Sequence, residues 1–225
     1  MSLFNDISAI QNIIYIFSSI LFISGIKMLG KEDTAVKGNF LSAMAMFIAV
    51  SVTIINVVNP IIVIIGIAIG ALIGSLIALK VKMTSIPEMV ALFNGFGGLA
   101  TFFIAWSEFN AIPDNVFQYV LIMLTTYIGG VTFSGSIIAY GKLSEKLKIQ
   151  KDSIITKLFT TLFYLSILFL VYSTTLTSFI EIPIDFYKVL LILTLLGGIG
   201  FVLPIGGGDM PVVISLLNSF SGIAA

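Results

Sequence analysis

The sequence contains no cysteine, no histidine and no arginine, and only 10% of its 225 residues are charged. Without cysteine there is no disulfide, no thiolate nucleophile and no cysteine-ligated metal or iron-sulfur centre. Without histidine the chain lacks the one side chain whose unperturbed pKa lies near neutrality, the usual carrier when protons cross a membrane protein. The missing arginines, with 11 lysines balanced by 11 acids, argue against a nucleic-acid interface. A soluble domain carries about 25% charged residues. What is present instead is apolar: 58% of the residues are hydrophobic and the mean hydropathy is +1.15. That composition reads as an integral membrane protein whose solvent is lipid. No polar interval is long enough for a separate soluble domain.

Crossing about 30 Å of hydrocarbon takes roughly 20 helical residues, somewhat fewer at the short limit. Eight runs qualify: Asn12 to Leu29, Asn39 to Val58, Ile61 to Leu79, Pro87 to Trp106, Val116 to Tyr140, Leu158 to Leu176, Phe186 to Leu203 and Met210 to Ala225. The fold class expected is all-α, a polytopic transmembrane bundle of about eight spans filling residues 1–225. The breaks carry turn chemistry at Gly30, Asn59-Pro60, Lys80 to Pro87, Asn110 to Asn115, Lys142 to Ser153, Glu181 to Asp185 and Pro204 to Asp209. The N-terminal MSLFNDIS lacks the basic region of a cleavable signal, so the first span is expected to be retained. Ten of the 11 lysines fall on one side of this arrangement and only Lys188 on the other. Cytoplasmic loops are enriched in lysine, so the N-terminus is expected outside and the lysine-rich loops in the cytoplasm.

In lipid, packed helix faces are marked by small and hydroxylated residues. Gly66, Gly70 and Gly74 make such a stripe on the third span, read as a packing groove. Thr125, Gly129, Thr132 and Ser136 make another on the fifth, where hydroxyls on one face could also line a hydrated path. On the fourth, Ala91, Asn94, Gly98, Thr101 and Ala105 form a small, polar face opposite Leu92, Phe96, Leu99, Phe103 and Trp106. The first face is expected to point into the bundle. Glu88 lies near its cytoplasmic mouth. On the eighth, Pro211, Ser215, Asn218, Gly222 and Ala225 share a face, and Asp209 precedes it at the cytoplasmic surface. Asn94 and Asn218 fall at similar depths, about 10 and 13 Å into their helices, so the two amides are expected to meet near the middle of the membrane. An amide cannot exchange a proton at neutral pH, but it can orient water. The residues alone leave both structural bridging and a polar conduction path open. Gly206 to Gly208 is not read as a phosphate loop, since no GxGxxG or GK[ST] accompanies it.

Four stretches, TAVKGN from Thr34, MTSIPEMVALFNGFGGLA from Met83, YIGGVTFSGSIIAYGKL from Tyr127 and GGGDMPVVISLLNSFSG from Gly206, occur in this order. They resemble the beta subunit of proton-translocating NAD(P) transhydrogenase along essentially the whole chain. The resemblance implies a membrane proton channel coupled to hydride transfer from NADH to NADP, located in the bacterial inner membrane. It also implies an alpha-subunit partner and a dimeric complex. The family's subunit continues through a further span into a cytoplasmic NADP-binding domain. This chain is therefore expected to be an incomplete proton-channel domain that binds no cofactor or metal itself, with NADP and NAD held elsewhere in the complex and the NADP-binding domain separate or missing. Asn94 occupies a position where many members carry histidine, Asn218 matches an asparagine of the conduction path, and Asp209 matches an acid near the NADP-domain interface. Glu88 also fits the pattern. Asn94, Asn218, Ser215 and Glu88 are thus the expected proton-path residues and Asp209 the domain-interface residue. A stand-alone secondary transporter and an inactive fragment are the alternatives.

Overall fold

The structure, a computed structural model, describes residues 2–55, 57, 59–111, 115–150, 152–176 and 184–224. Val58, Lys151, Ala225, residues 112–114 of the expected fourth break, residues 177–180 and residues 181–183 of the expected sixth break lie outside the described residues. Among the described residues there are eight α-helices and no strand. In lipid a helix satisfies its own backbone hydrogen bonds, which is why long apolar runs take this form. Residues 1–80 and 81–225 form two separate compact units.

The first unit contains α1 (Ser2–Leu29), α2 (Glu32–Ile54) and α3 (Pro60–Lys80). α1 and α2 pack against each other along seams of seven-residue spacing: Gln11, Ser18 and Gly25 are buried on α1, and Gly38, Ala45 and Val52 on α2. A seven-residue repeat keeps these side chains on one slowly drifting stripe. The backbones approach most closely at Gly25 and Gly38, where a Cβ on Gly38 would lie 2.7 Å from the Gly25 carbonyl oxygen. α3 differs, since it buries no residue. A Cβ at Gly66, Gly70 or Gly74 would meet nothing within 4 Å. The packing groove expected along that stripe is therefore not filled within this unit.

The second unit contains α4 (Ile86–Asn110), α5 (Val116–Leu143), α6 (Ile154–Leu176), α7 (Ile184–Val202) and α8 (Met210–Ala224). α5 is its centre and packs on α4, α7 and α8, while α6 packs chiefly on α7. Its residues make this possible, because Thr126, Gly129, Gly130, Thr132, Ser134, Gly135, Ser136 and Ala139 are all buried. Small side chains on several faces let several helices approach one axis. Asn115 caps α5, its side-chain carbonyl accepting from the Gln118 N–H at 3.0 Å. One cluster joins Ala91, Val131, Ala139 and Val202 to Met210, Val213, Ile214 and Leu217 of α8. A second joins Phe109, Met123, Leu170, Tyr187 and Leu190.

The helix pattern thus agrees with a polytopic bundle. Among the described residues, seven helices are long and apolar enough to cross a membrane. α8 has 15 residues, about 22 Å at the helical rise, which is short of the hydrocarbon thickness.

Candidate functional site: a polar groove between α4 and α8

α4 and α8 both run antiparallel to α5. On α4, Gly95 and Gly98 face Ser136 and Thr132. On α8, Ser221 and Ala224 bond to Thr132 and Thr125. The two outer helices are therefore parallel to each other. Between them lies a cavity of about 730 Å³ whose polar lining comes from Asn94 and Thr101 on α4 and Ser215, Asn218 and Ser221 on α8. Val90, Phe93, Gly97, Pro211 and Ile214 complete it.

α5 supplies the hydrogen bonds that tie both helices to it. The Asn94 side-chain amide donates to Ser136 Oγ at 2.9 Å. One turn away on α5, Ser221 Oγ donates to Thr132 Oγ1 at 3.1 Å. Thr132 in turn directs its own proton to the Leu217 carbonyl oxygen at 3.5 Å. Ser136 and Thr132 are fully buried, so each hydroxyl meets the requirement that buried polar groups be bonded. Thr101 bonds within its own helix, to the Gly97 carbonyl oxygen at 3.1 Å.

The structure brings Asn94, Asn218 and Ser215 to one groove from two helices. On α8, Ser215 and Asn218 are exposed to the groove, and the buried face is Met210, Val213, Ile214 and Leu217. The apolar stripe has the larger surface to remove against α5, so it takes the packed side. On α4, Ala91, Gly98 and Ala105 are buried as expected, joined by Gly95, Phe102 and Phe109, while Asn94 and Thr101 sit half-buried at the edge. Glu88 is half-buried in the first turn of α4 and is not part of the groove lining. Asp209 ends the short 3-10 turn Gly207–Asp209 directly before α8, exposed, two residues from the groove residue Pro211. Ser221 was missed in the sequence. It lies three residues beyond Asn218, and that helical spacing was the signal that could have found it.

The profile of the NAD(P) transhydrogenase beta subunit matches residues 11–225. This chain belongs to that family. Two Rhodospirillum rubrum proteins named NAD(P) transhydrogenase subunit beta are each 34% identical to it over 227 residues, which cover 94% of this chain and 47% of the relative. The chain thus spans about half the length of the curated relatives it matches.

Gly206 to Gly208 follow helix α7 and lead into α8, so this glycine run does not have the strand-to-helix setting of a dinucleotide pyrophosphate loop. The dinucleotide fingerprint needs a strand before its glycines and a helix N-terminus free to meet the pyrophosphate.

Proposed function

We propose that the α4–α8 groove is the hydrated proton path of a transhydrogenase membrane domain, coupled in the assembled complex to hydride transfer from NADH to NADP. The observation that carries this reading is the convergence of Asn94, Thr101, Ser215, Asn218 and Ser221 on one groove. In a chain this apolar, a polar row from two helices is costly unless it meets water or another polar group. Membership of the NAD(P) transhydrogenase beta subunit family supports this reaction class.

Each polar group has a defined part in this reading. Hydroxyls both donate and accept, so Ser215 and Ser221, which line the groove, can continue a water chain in either direction. Asn218, exposed in the groove, orients the water beside it. Asn94, its amide held by Ser136, offers its carbonyl oxygen as an acceptor. None of the polar lining residues titrates near neutral pH. The group that exchanges protons is then Glu88, Asp209, bound water or a residue of a partner subunit. Asp209 is the contact to the NADP-binding domain. The alpha subunit and that NADP-binding domain complete a dimeric complex in the bacterial inner membrane, with the N-terminus outside and the lysine-rich loops in the cytoplasm. Nicotinamide binding belongs to those other parts.

The test is reverse transhydrogenation and proton pumping in inverted vesicles, with and without a matching alpha subunit and NADP-binding domain. Activity is expected in the complete mixture alone. Asn218→Leu, which removes a polar group without adding charge, is expected to abolish proton-coupled turnover while leaving insertion intact. Coupled activity unchanged in Asn218→Leu would sink the conduction role.

A further inference from the structure

α7 ends at Val202, and a helix end releases carbonyls that need partners. Three of those near this end, on Val202, Leu203 and Ile205, accept hydrogen bonds from a single donor, the Lys142 ammonium in the last turn of α5. An ammonium has three protons and no acceptor, so three carbonyls satisfy it completely. Its positive charge also sits at the negative end of the α7 dipole. Val202 and Leu203 are buried, with 0% and 2% of their surface exposed, and the lysine supplies the donor to their carbonyls.

The segment held in this way is the start of the α7–α8 connection. Beyond Ile205 the chain passes Gly206 and the turn Gly207–Asp209, then becomes α8, which carries Ser215, Asn218 and Ser221. Apolar packing holds the two ends of the connection, where Leu203 and Met210 are buried and Ile205 packs on the core cluster, but not the glycine turn between them. A cavity of about 210 Å³ lies beside it, lined by Lys142, Leu147, Ile149, Pro204, Gly206 and Gly207 among others. Gly206 to Gly208 add no side chains to fill it. The lysine is the polar tie between the end of α5 and the turn from which α8 starts.

We infer that Lys142 is a positioning residue for the groove: its clamp on the Val202, Leu203 and Ile205 carbonyls sets the height and rotation at which α8 presents Ser215, Asn218 and Ser221 to α4. Its importance for transport rests on the proton-path reading above, but its effect on α8 does not. Neutralising Lys142 frees three carbonyls and lets the α8 entry drift. The α8 contacts furthest from the other helix ties then lose register with α5.

The chain has no cysteine, so an introduced pair reports without background. Thr132→Cys with Ser221→Cys replaces two side chains whose oxygens are 3.1 Å apart. The rate of their disulfide formation is measured in native membranes containing the assembled complex. Lys142→Met is expected to slow it by about tenfold, the factor that equals about 1.4 kcal/mol. Lys142→Arg, which keeps the charge and several donors, should restore most of the rate. An unchanged rate in Lys142→Met would overturn the inference whether or not the complex pumps protons. A slowed rate with unaltered pumping would uphold the clamp and count instead against the groove as the proton path. Should Lys142→Met fail to accumulate, Lys142→Gln, with two donors and no charge, is measured in the same way. Loss of the folded chain in both would also overturn it, by assigning the lysine to bundle stability instead of α8 position.

Discussion

The side-chain amide of Asn94 donates to the Ser136 hydroxyl oxygen at 2.9 Å, joining α4 to α5 at the inner edge of the groove. Ser136 is fully buried and Asn94 half-buried, so the bond orders a polar group that would otherwise be free to turn. Interhelical hydrogen bonds of this kind contribute about 0.6 to 2 kcal/mol. Ser136→Ala should lower stability by about 1 kcal/mol in a denaturant titration in detergent. Asn94→Ala in the Ser136→Ala background should then add little. Full additivity of the two changes would mean that the bond is not coupling the helices.

Gly129 makes the tightest α4–α5 approach accessible to a simple test. A Cβ there would lie 2.7 Å from the Phe102 backbone nitrogen and 2.9 Å from the Gly98 carbonyl oxygen. Both obstacles are backbone, so they cannot swing aside. Gly129→Ala should cost about 1 to 3 kcal/mol, the range for overpacking, seen as a lower unfolding temperature. A variant as stable as the parent would show that the helices part more easily than this contact implies.

Thr126 and Tyr187 are both buried, with their oxygens 2.6 Å apart. Thr126 Oγ1 also reaches the Ile122 carbonyl oxygen at 2.7 Å. Its single proton serves that carbonyl, so the Tyr187 phenol is the donor between the two. The Tyr187 ring stacks on Phe109, with centroids 3.7 Å apart. Tyr187→Phe keeps the stack and leaves Thr126 bonded, for a loss of about 1 kcal/mol. Thr126→Val strands a buried phenol and should cost more, about 1 to 3 kcal/mol. The reverse order in thermal unfolding would assign the proton the other way.

At the end of α5, Glu145 adopts φ of 55°, the left-handed region in which a Cβ is penalised by about 1 to 2 kcal/mol. The turn is closed by the Leu147 N–H donating to the Gly141 carbonyl oxygen at 2.8 Å. Glycine is the usual residue in such a helix stop. Glu145→Gly should raise stability by about 1 kcal/mol. A loss of stability would mean that the Glu145 side chain contributes more than its backbone costs.

Much of this architecture was legible from the residues. Runs of apolar side chains gave all eight helices, because in lipid nothing competes with the helix for the backbone. The small residues of α5 marked it as a packed helix. What pattern reading could not supply was which side of an amphipathic helix packs. For α8 the outcome turned on Met210, Val213, Ile214 and Leu217 meeting Ala139 and Val202, a relationship between distant segments. The same limit hid Lys142. Its number places it in the last turn of a helix, where lysine is ordinary, and only the tertiary fold sets the α7 carbonyls beneath it. The convergence of Asn94 and Asn218 was accessible because both helices enter from the same side and depth along a helix is simple counting.

The contrast between α3 and α5 bears on how the protein is made. α3 has the highest hydropathy of the candidate spans at 2.8 and buries none of its window, whereas α5 has 1.6 and buries 56%. A segment as oily as α3 partitions from the translocon into lipid on its own strength. α5, with its glycines and hydroxyls, gains its stability only when α4, α7 and α8 are beside it. Because α7 and α8 are synthesised later, the central helix of the second unit must wait for its partners during translation. Until they arrive, the glycines and hydroxyls that α5 will turn toward α7 and α8 are without their helix partners.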